Sequence, residues 1–387
     1  MSQTQNPIEI SRERVLQVEK TLNKIIIGHE EFVKALILAC VAGEHIVVIG
    51  PPGTAKSYAV HTLAKLLNTR FYMYLLTKFT SFDELFGTVD IVSLTKGEYR
   101  RNWSRIVTSD FVFLDEIFKA NSAILNALLS LLQERIIYDP LTGQPVHTSL
   151  HTAVGASNEV PEDPELQALY DRFAVKVFVD YLNDDAMLLK AIEARWLNNN
   201  SLQPVATMDD IKTLHEHAVL IMRARIKDVG EVYKLYHVNV VPIVKSLRSR
   251  GVLVSDRTII EKLPKLYSAY LALYGVTIDN IMSAAYDLVR YLARTREELK
   301  EINKAIDDAL GEVAELARKL EKAKELLRAK NLSGAKEVLK DLLSYDISRL
   351  EKTPWLKPRV EAILSTAREY MNLISQIEEQ IARLSQF

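Results

Sequence analysis

A glycine-rich segment near the start of the chain carries the residue types that bind polyphosphates. The apolar run Ile46–Ile49 precedes it, a helical pattern begins at Ala59, and between them stand Gly50, Pro51, Pro52, Gly53, Thr54, Ala55, Lys56, Ser57 and Tyr58. Glycine allows a tight loop whose backbone N–H groups point at an anion, and the following helix adds a favourable dipole. The order strand, loop, helix therefore predicts a site for a chain of phosphates.

Two side chains in this segment have the chemistry that such a site needs. Lys56 would reach the β- and γ-phosphates of a nucleotide, and the hydroxyl of Ser57 would bind Mg²⁺. One residue departs from the motif, because Ala55 stands where a glycine usually precedes the lysine. An ordinary turn between a strand and a helix is the alternative interpretation, so other residues must support the site.

A second segment ends in two carboxylates. The apolar run Phe111–Leu114 is followed directly by Asp115 and Glu116. In a parallel sheet the carboxyl end of a strand opens at the crevice where ligands bind. Asp115 would then hold Mg²⁺ through water, and Glu116 would polarise the attacking water. The alternative is a strand that leads into a helix with acidic residues in its first turn.

Two more polar residues stand beside later apolar runs. Asn158 follows the run Thr152–Ala156, where its amide would position a water or contact the γ-phosphate; the alternative is a cap of the turn before Pro161. Arg172 precedes the run Val175–Val179. It is either part of a surface ion pair or an arginine finger, a guanidinium that stabilises the phosphate being transferred.

Short apolar runs alternate with helical patterns through the first half of the chain. Five runs are typical of strands buried on both faces of a parallel sheet: Ile46–Ile49, Phe71–Leu75, Phe111–Leu114, Thr152–Ala156 and Val175–Val179. The stretch Ser122–Gln133 carries leucines at helical spacing. We therefore predict an α/β domain with a doubly wound parallel sheet and helices on both faces.

The rest of the chain lacks strand signals. From Asp209 to about Leu292 the chain reads as amphipathic helices, which predicts a smaller all-helical domain. Farther on, apolar residues alternate three- and four-residue spacings over 299–327 and again over 360–384, a pattern typical of coiled coils. We predict an antiparallel helical hairpin; the alternative is two helices that pack on the globular body.

Composition describes an ordinary globular chain. Its 387 residues are 48% hydrophobic and 26% charged, which suits about two or three domains with buried cores. The 49 Lys and Arg against 50 Asp and Glu leave a net charge of -1, without the excess typical of proteins that bind nucleic acid or anionic membranes. The single cysteine, Cys40, lies in an apolar stretch, where a small buried side chain is expected.

We expect a cytoplasmic protein. The polar segment 1–7 has no apolar core of a secretion signal. No run approaches the roughly 18 to 20 apolar residues that cross a bilayer.

The combined motifs resemble one family more specifically than any motif does alone. In chain order they are Gly50–Ser57, Phe111–Glu116, Asn158, Asp171-Arg172-Phe173 and Ser255-Asp256-Arg257. This set is similar to AAA+ ATPases of the MoxR family, and most similar to their RavA branch, over about residues 8–292. Proteins of that branch also tolerate alanine before the lysine, so Ala55 fits the resemblance.

The resemblance implies an ATPase that uses ATP and Mg²⁺ and assembles as a hexameric ring. It gives Asn158 the role called sensor one and gives Arg257 the role called sensor two. It makes Arg172 a finger that acts on the nucleotide of a neighbouring subunit. The adenine would sit beside a short segment made of Ile27, Gly28 and His29.

The resemblance also implies a domain order. Residues 1–203 would form the AAA+ nucleotide-binding domain, with an insert in helix two at about 87–105 and a hairpin before sensor one at about 136–150. Residues 204–295 would form the helical lid. The helical hairpin at 296–387 departs from a short MoxR protein, so the family assigns it no binding role.

The function expected from this resemblance is remodelling of a protein client, beside a partner with a von Willebrand factor A domain. A motor that moves on nucleic acid is the main alternative, because basic residues cluster at the predicted insert: Lys96, Arg100, Arg101 and Arg105. A solvated rim is the simpler interpretation of that cluster, and a scaffold that binds nucleotide without turnover is a third hypothesis. His215 and His217 lack metal-ligand spacing.

Overall fold

A five-stranded parallel sheet forms the centre of the amino-terminal half of the chain. The computed structural model describes residues 6–197, 202–226, 230–352 and 357–384. The strands in chain order are β1 Ile46–Ile49, β2 Phe71–Leu75, β3 Gly87–Val89, β4 Arg101–Trp103, β5 Phe111–Asp115, β6 Ile136–Tyr138, β7 Pro145–His147, β8 Thr152–Ser157, β9 Val175–Phe178, β10 Arg225–Ile226 and β11 Gly230–Glu231.

The central sheet has the order β2-β5-β8-β1-β9, and each neighbouring pair of strands is parallel. The five strands predicted from the sequence are therefore confirmed. Two of them extend one residue farther than predicted, β5 to Asp115 and β8 to Ser157, whereas β9 ends at Phe178. All four residues of β1 are buried, as expected of a strand covered on both faces.

Helices occupy most of the remaining described chain. They are α1 Pro7–Ile25, α2 Glu30–Ala42, α3 Lys56–Leu66, α4 Phe82–Phe86, α5 Ile91–Thr95, α6 Ser122–Glu134, α7 Pro164–Tyr170, α8 Asp185–Trp196, α9 Met208–Arg223, α10 Val232–Asn239, α11 Val241–Ser249, α12 Leu263–Tyr274, α13 Ile278–Arg290, α14 Arg296–Arg328, α15 Leu332–Leu343 and α16 Lys357–Leu384. Short 3₁₀ turns lie at Ile117–Lys119 and Ile347–Lys352, and a turn of π-helix spans Thr258–Lys262.

Local sequence explains where the helix beside β5 begins and which face it buries. The side chain of Asn121 accepts a hydrogen bond from the N–H of Ile124, which caps the first turn of α6. The apolar stripe of α6 is buried in the core, and Cys40 of α2 is buried as predicted. Burial raises the pKa of the Cys40 thiol to about 12, so this cysteine behaves as a packing residue.

Two small antiparallel hairpins project from the α/β core. Strands β3 and β4 form the first, which we call the insert hairpin, and β6 and β7 form the second. Arg101 of β4 lies between them with its side chain 2% exposed, and it pairs at 2.9 Å with Asp139, whose side chain is 3% exposed. Arg101 also pairs with Asp83. A buried ion pair therefore joins the two hairpins.

The chain forms two compact units. The first comprises Met1–Tyr236 and Val254–Arg296, and the second comprises His237–Leu253 and Glu297–Phe387. The predicted lid, 204–295, contributes to both, since α9, α12 and α13 lie in the first unit and α11 lies in the second. The predicted domain boundaries at 203 and 295 stay predictions.

Within the first unit, the helices that follow the sheet pack on the amino-terminal helices. Helix α12 lies against α2 and α9. Lys34 of α2 pairs with Asp287 of α13 at 2.5 Å, and the hydroxyl of Tyr274 donates to Glu19 of α1 at 2.8 Å. These partly buried contacts fix the segment 254–296 on the same side as α1 and α2.

The second unit contains the long helices predicted at the carboxyl end. The shorter α15 packs against α16, where Lys336 pairs with Glu378 at 2.5 Å, and Lys319 of α14 pairs with Asp341 of α15 at 2.8 Å. Several seam positions predicted from the heptads are buried, namely Ile302, Val313, Leu316, Leu320, Ala323, Val360, Ala367 and Ile374. The antiparallel coiled-coil hairpin itself stays a prediction, and the side chains of 305–312 lie outside those described.

The pair Arg101–Asp139 provides a stability test. Replacing Arg101 with Met leaves the Asp139 carboxylate buried without its cation, so we expect a loss of about 3–5 kcal/mol in the free energy of unfolding. Denaturant titration followed by circular dichroism measures it. The matched control is Arg100→Met, because Arg100 is 68% exposed and its partner Glu98 is 60% exposed. Equal effects of the two changes would contradict the buried role of Arg101.

Candidate functional site

The loop Gly50–Ser57, hereafter the phosphate loop, follows β1 directly and has the backbone of an anion cradle. A Cβ on Gly50 would lie 2.2 Å from the carbonyl oxygen of Val179, so only glycine fits there. Gly53 has φ +83°, and a Cβ on it would have no described atom within 4 Å. Ala55 has φ 60°, in the left-handed region that favours glycine. The off-pattern alanine thus adopts the conformation of the glycine that it replaces.

Lys56 points its ammonium into the phosphate loop. Its Nζ donates to the carbonyl oxygens of Gly50 at 2.5 Å and Pro51 at 2.9 Å, and lies 3.5 Å from Oδ1 of Asn158. The residue is 8% exposed. Burial lowers the pKa of Lys56, and the carboxylates of Asp115 and Glu116 oppose that shift. Since neutral oxygens are its hydrogen-bond acceptors, an anion bound in the loop would stabilise this ammonium.

Ser57 and Asp115 form the pair predicted to hold the cation. The hydroxyl of Ser57 donates to Oδ2 of Asp115 at 3.3 Å. The two residues come from different elements, the start of α3 and the last position of β5. A hydroxyl and a carboxylate side by side are oxygen ligands of the kind that Mg²⁺ takes, together with water and substrate phosphates.

Glu116 is held beside Asn158. Glu116 adopts φ 51°, and Nδ2 of Asn158 donates to its Oε1 at 2.8 Å. The other carboxylate oxygen, Oε2, lies 3.3 Å from the ammonium of Lys119. The Asn158 amide therefore connects Lys56 on one side with Glu116 on the other. The structure thus brings together Lys56, Asp115, Glu116 and Asn158, the four residues predicted beside these strand ends.

A cavity of about 510 Å³ opens beside Glu116. Its lining combines apolar and charged side chains, including Phe118, Lys119, Asn158, Glu159, Glu162 and Leu166. A water next to Glu116 would have room on this side, away from the carbonyls that hold Lys56.

The segment predicted to contact adenine lies near the same loop. A Cβ on Gly28 would lie 2.3 Å from the side chain of Leu182, and the nearby hydroxyl of Tyr181 donates to the carbonyl of Pro52 at 3.0 Å. The segment after β9 thus adjoins both Gly28 and the phosphate loop. Burial lowers the pKa of His29, which favours its neutral form.

Ile27 and His29 flank Gly28 in the short connection between α1 and α2. Tyr58, the residue after Ser57, lies under the guanidinium of Arg195 at 5.4 Å from the ring centroid. These placements leave the assignment of Ile27, Gly28, His29 and Tyr58 to the nucleotide base a prediction.

The residues present fit ATP and Mg²⁺ on two observations. The loop has a glycine whose Cβ position is open and a buried ammonium bonded only to neutral oxygens. The cation ligands Ser57 and Asp115 already lie within hydrogen-bonding distance of each other. Phosphate oxygens would replace the carbonyl partners of Lys56, and the cation would replace the Ser57 hydrogen bond.

Two arginines predicted for nucleotide chemistry stand apart from this cluster. Arg172 precedes β9, whose first residue Val175 pairs with Ile46 at the start of β1, whereas the phosphate loop follows the other end of β1. A four-residue strand separates these ends by about 13 Å. Arg257, at the π-helical turn, is 44% exposed and pairs with Glu261 at 3.0 Å. Among the described residues neither arginine contacts the phosphate loop.

Sequence reasoning missed several residues that the structure places at the site. Lys119 lies three positions after Glu116, a spacing that brings side chains together on a helical turn and was available as a signal. Tyr181 and Arg195 reach the loop from elements far along the chain, so only the tertiary structure shows them.

A parallel sheet in this order, with a lysine loop beside two strand-end acids, defines a P-loop protein with an α/β AAA+ core. The chain matches, over residues 13–216, the family described as the MoxR domain in the MoxR-vWA-beta-propeller ternary systems. It belongs to this family of MoxR domains.

Three individual relatives match part of this chain. The chain is 33% identical over 243 residues to an uncharacterized protein of Methanocaldococcus jannaschii, covering 62% of this chain and 61% of the relative. A second protein of that organism is 33% identical over 244 residues, with 62% and 60% covered. The chain thus spans about three fifths of these relatives. Chaperone MoxR1 of Mycobacterium tuberculosis is 26% identical over 163 residues, with 41% and 42% covered.

A solved structure shares the fold. A candidate ATPase of Cytophaga hutchinsonii superposes with a TM-score of 0.56 at 22% identity, over 73% of this chain and 87% of that one. In the described ranges, no helix is long and apolar enough to cross a membrane. Over those same residues, no group of three or more His, Cys, Asp or Glu could hold a metal ion.

Ala55 offers a test of the loop backbone. Replacing it with Gly removes the cost of a side chain at positive φ, so we expect stabilisation by about 1 kcal/mol despite the greater freedom of glycine in the unfolded chain. Thermal denaturation measures the change. The control is Ala59→Gly within α3, which should destabilise the protein by about 0.5–1 kcal/mol or more. Destabilisation by both changes would contradict the strained backbone at Ala55.

Proposed function

We propose that this chain is a MoxR-type AAA+ ATPase that hydrolyses ATP to ADP and phosphate and uses the reaction to remodel protein complexes. The observation that carries the proposal is the continuous contact from Lys56 through Asn158 to Glu116. It supports a site in which one amide senses the phosphate loop and also positions the residue that activates water. The neighbouring pair Ser57 and Asp115 supports the use of Mg²⁺.

Each residue has a distinct part in the proposed reaction. Lys56 holds the β- and γ-phosphates, while the N–H groups of the loop bind their remaining oxygens. Mg²⁺, held by Ser57 and by Asp115 through water, would neutralise charge on the phosphates. Glu116 orients a water from the adjoining cavity for in-line attack, and Asn158 holds Glu116 in place.

Among the described residues, neither Arg172 nor Arg257 contacts the phosphate loop of its own chain. Arg172 precedes β9 at the opposite end of β1 from the loop, which supports its action on a neighbouring subunit's nucleotide. We therefore propose a ring, hexameric as the family resemblance implies, in which Arg172 acts in trans and Arg257 has the role called sensor two. Arginine fingers in other nucleotide hydrolases raise turnover by about 10³- to 10⁵-fold.

The family supports a proposal for the partner and for the kind of client. The description of the matching family places its MoxR domains in systems with von Willebrand factor A proteins, and one relative is named a chaperone. We propose that a protein with a von Willebrand factor A domain is the partner and that the client is a protein assembly in the cytoplasm. Ala55 supports the RavA-like branch. The carboxyl-terminal helices would serve as the docking arm.

The nucleic-acid motor has less support. Arg101 is buried in its pair with Asp139, and Arg100 pairs with Glu98. Two of the four basic residues proposed for a channel are thus engaged within the chain. A scaffold without turnover has less support too, since Lys56, Asp115, Glu116 and Asn158 lie together as a hydrolytic site requires.

The first test changes the residue that activates water. Glu116→Gln should retain ATP binding and ring assembly but lower turnover by about 100-fold or more, because the amide cannot polarise water. Phosphate release, nucleotide titration and light scattering measure the three properties. Glu321→Gln, a matched change at a glutamate 60% exposed on α14, should leave turnover unchanged. Undiminished hydrolysis by Glu116→Gln would rule out the assignment.

A second experiment identifies the client. Glu116→Gln with ATP should hold the ATP-bound state and retain its client and the von Willebrand factor A partner during affinity purification. Lys56→Ala, which should not hold ATP, is the matched control. Quantitative mass spectrometry of both samples tests the prediction. Equal recovery of every protein by the two variants would contradict nucleotide-dependent capture.

A further inference from the structure

The backbone at Arg172 is fixed by a buried lysine from a distant segment. Lys262 is 7% exposed, and its Nζ donates to the carbonyl oxygens of Asp171 at 2.5 Å and of Arg172 at 3.1 Å. It is the last residue of the π-helical turn Thr258–Lys262, which leads into α12. Turns of π-helix are uncommon and occur frequently at functional sites.

The charges around Lys262 show what its position is suited to do. Burial lowers its pKa to about 8, Glu44 opposes the shift, Arg257 and Arg172 add to it, and Asp171 opposes it. The positive charges of two nearby guanidinium groups repel this buried ammonium and do not stabilise it. Its contribution to the structure therefore comes from the direction of its N–H donors, two of which point at the Asp171–Arg172 backbone.

The surroundings of Arg172 are fixed while part of its guanidinium group lacks a partner. Arg294 pairs with the carboxylate of Asp171 at 3.2 Å, and the hydroxyl of Tyr170 donates to the carbonyl of Arg294 at 2.8 Å. The Nε of Arg172 is buried and has no hydrogen-bond partner within the described part of the chain. A held backbone and an unsatisfied donor are the arrangement expected of a group whose acceptor comes from another molecule.

We propose that Lys262 is a positioning residue for Arg172. Its two hydrogen bonds hold the peptide from which the guanidinium reaches the nucleotide of a neighbouring subunit. The inference rests on the proposed function, in which Arg172 acts in trans. Because Lys262 and Arg257 belong to one short segment, the same contact also joins the segment of Arg257 to the backbone of Arg172.

The direct test replaces Lys262 with Met, which keeps the length of the side chain and removes its donors. A misplacement of about 1 Å can cost about 100-fold in rate, so we expect kcat to fall about 10- to 100-fold. The affinity for ATP should not change, because the variant's phosphate loop is intact. Lys262→Arg, whose guanidinium can donate to both carbonyls, should recover part of the activity.

The matched control is Lys234→Met on α10. Lys234 is 61% exposed and pairs with Glu231 at 3.0 Å, without a described contact to Asp171 or Arg172. Its turnover should stay within about twofold of the unaltered protein, as is usual for surface substitutions. Thermal denaturation of all three variants separates lost positioning from lost folding.

Mixing experiments separate a finger defect from any other defect. Glu116→Gln subunits have a defective site of their own but an intact Arg172, whereas Lys262→Met subunits have an intact site but a displaced Arg172. Mixed rings should therefore hydrolyse ATP faster than the sum of the two separate proteins. Arg172→Ala is mixed with Glu116→Gln in parallel as the reference.

The outcomes distinguish the inference from the function on which it rests. Gain of activity by both mixtures supports the positioning role. Gain with Arg172→Ala but not with Lys262→Met overturns that role and leaves the finger in trans intact. No gain in either mixture, or no ring at all, overturns the finger in trans and the positioning role with it.

Discussion

The parallel pairing of β8 between β1 and β5 is the constraint on which the whole site depends. It makes the strand ends that carry the phosphate loop, Asp115 and Asn158 open at one edge of the sheet. A slip of one residue would turn every side chain of β8 to the other face. Gly155 tightens this constraint, because a Cβ there would lie 3.0 Å from the ring of Phe173 and 3.2 Å from Ile117. The neighbours of Arg172 and Glu116 therefore approach the same glycine.

The neutral amide of Asn158 lies between oppositely charged groups at the strand ends. Lys56 and Lys119 lie on either side of Glu116, and Asn158 accepts from one lysine while it donates to the glutamate. If phosphate oxygens replaced the loop carbonyls around Lys56, the Lys56 ammonium would shift. Its contact with the amide oxygen of Asn158 would then become shorter or be lost. Because the same amide donates to Glu116, a shift of the Asn158 side chain would also move the Glu116 carboxylate. In the proposed reaction, this is a short physical route by which a bound nucleotide would set the position of Glu116.

Local signals in the sequence were enough to predict the strands of the sheet and to place Lys56, Asp115, Glu116 and Asn158 at its edge. The runs that became β1, β5 and β8 are apolar along their whole length, so their periodicity predicted the strands, and the polar residues after each run predicted which side chains meet at the sheet edge. The roles of those side chains stay a prediction. Ala55 could not be judged in this way, since its positive φ is a property of the folded loop. The place of Lys262 depended on packing of α12 against α2, which pairs residues more than 200 positions apart. No local pattern reports such a contact.

The separation of Arg172 from Lys56 limits what one chain can do. Both ends of β1 are occupied, one by the phosphate loop and the other by the turn before β9, and the strand between them is rigid and buried. Bending that strand would break ladder hydrogen bonds to β8 and β9 at once, so no small movement brings the arginine to its own loop. Under the proposed function, a chain that holds the phosphate loop at one edge of the sheet and Arg172 at the other would complete its site only with a second copy. In the proposed ring, the nucleotide of one subunit would therefore contact Arg172 of its neighbour. Hydrolysis of that nucleotide would change the contacts of the segments that contain Arg172, Lys262 and Arg257.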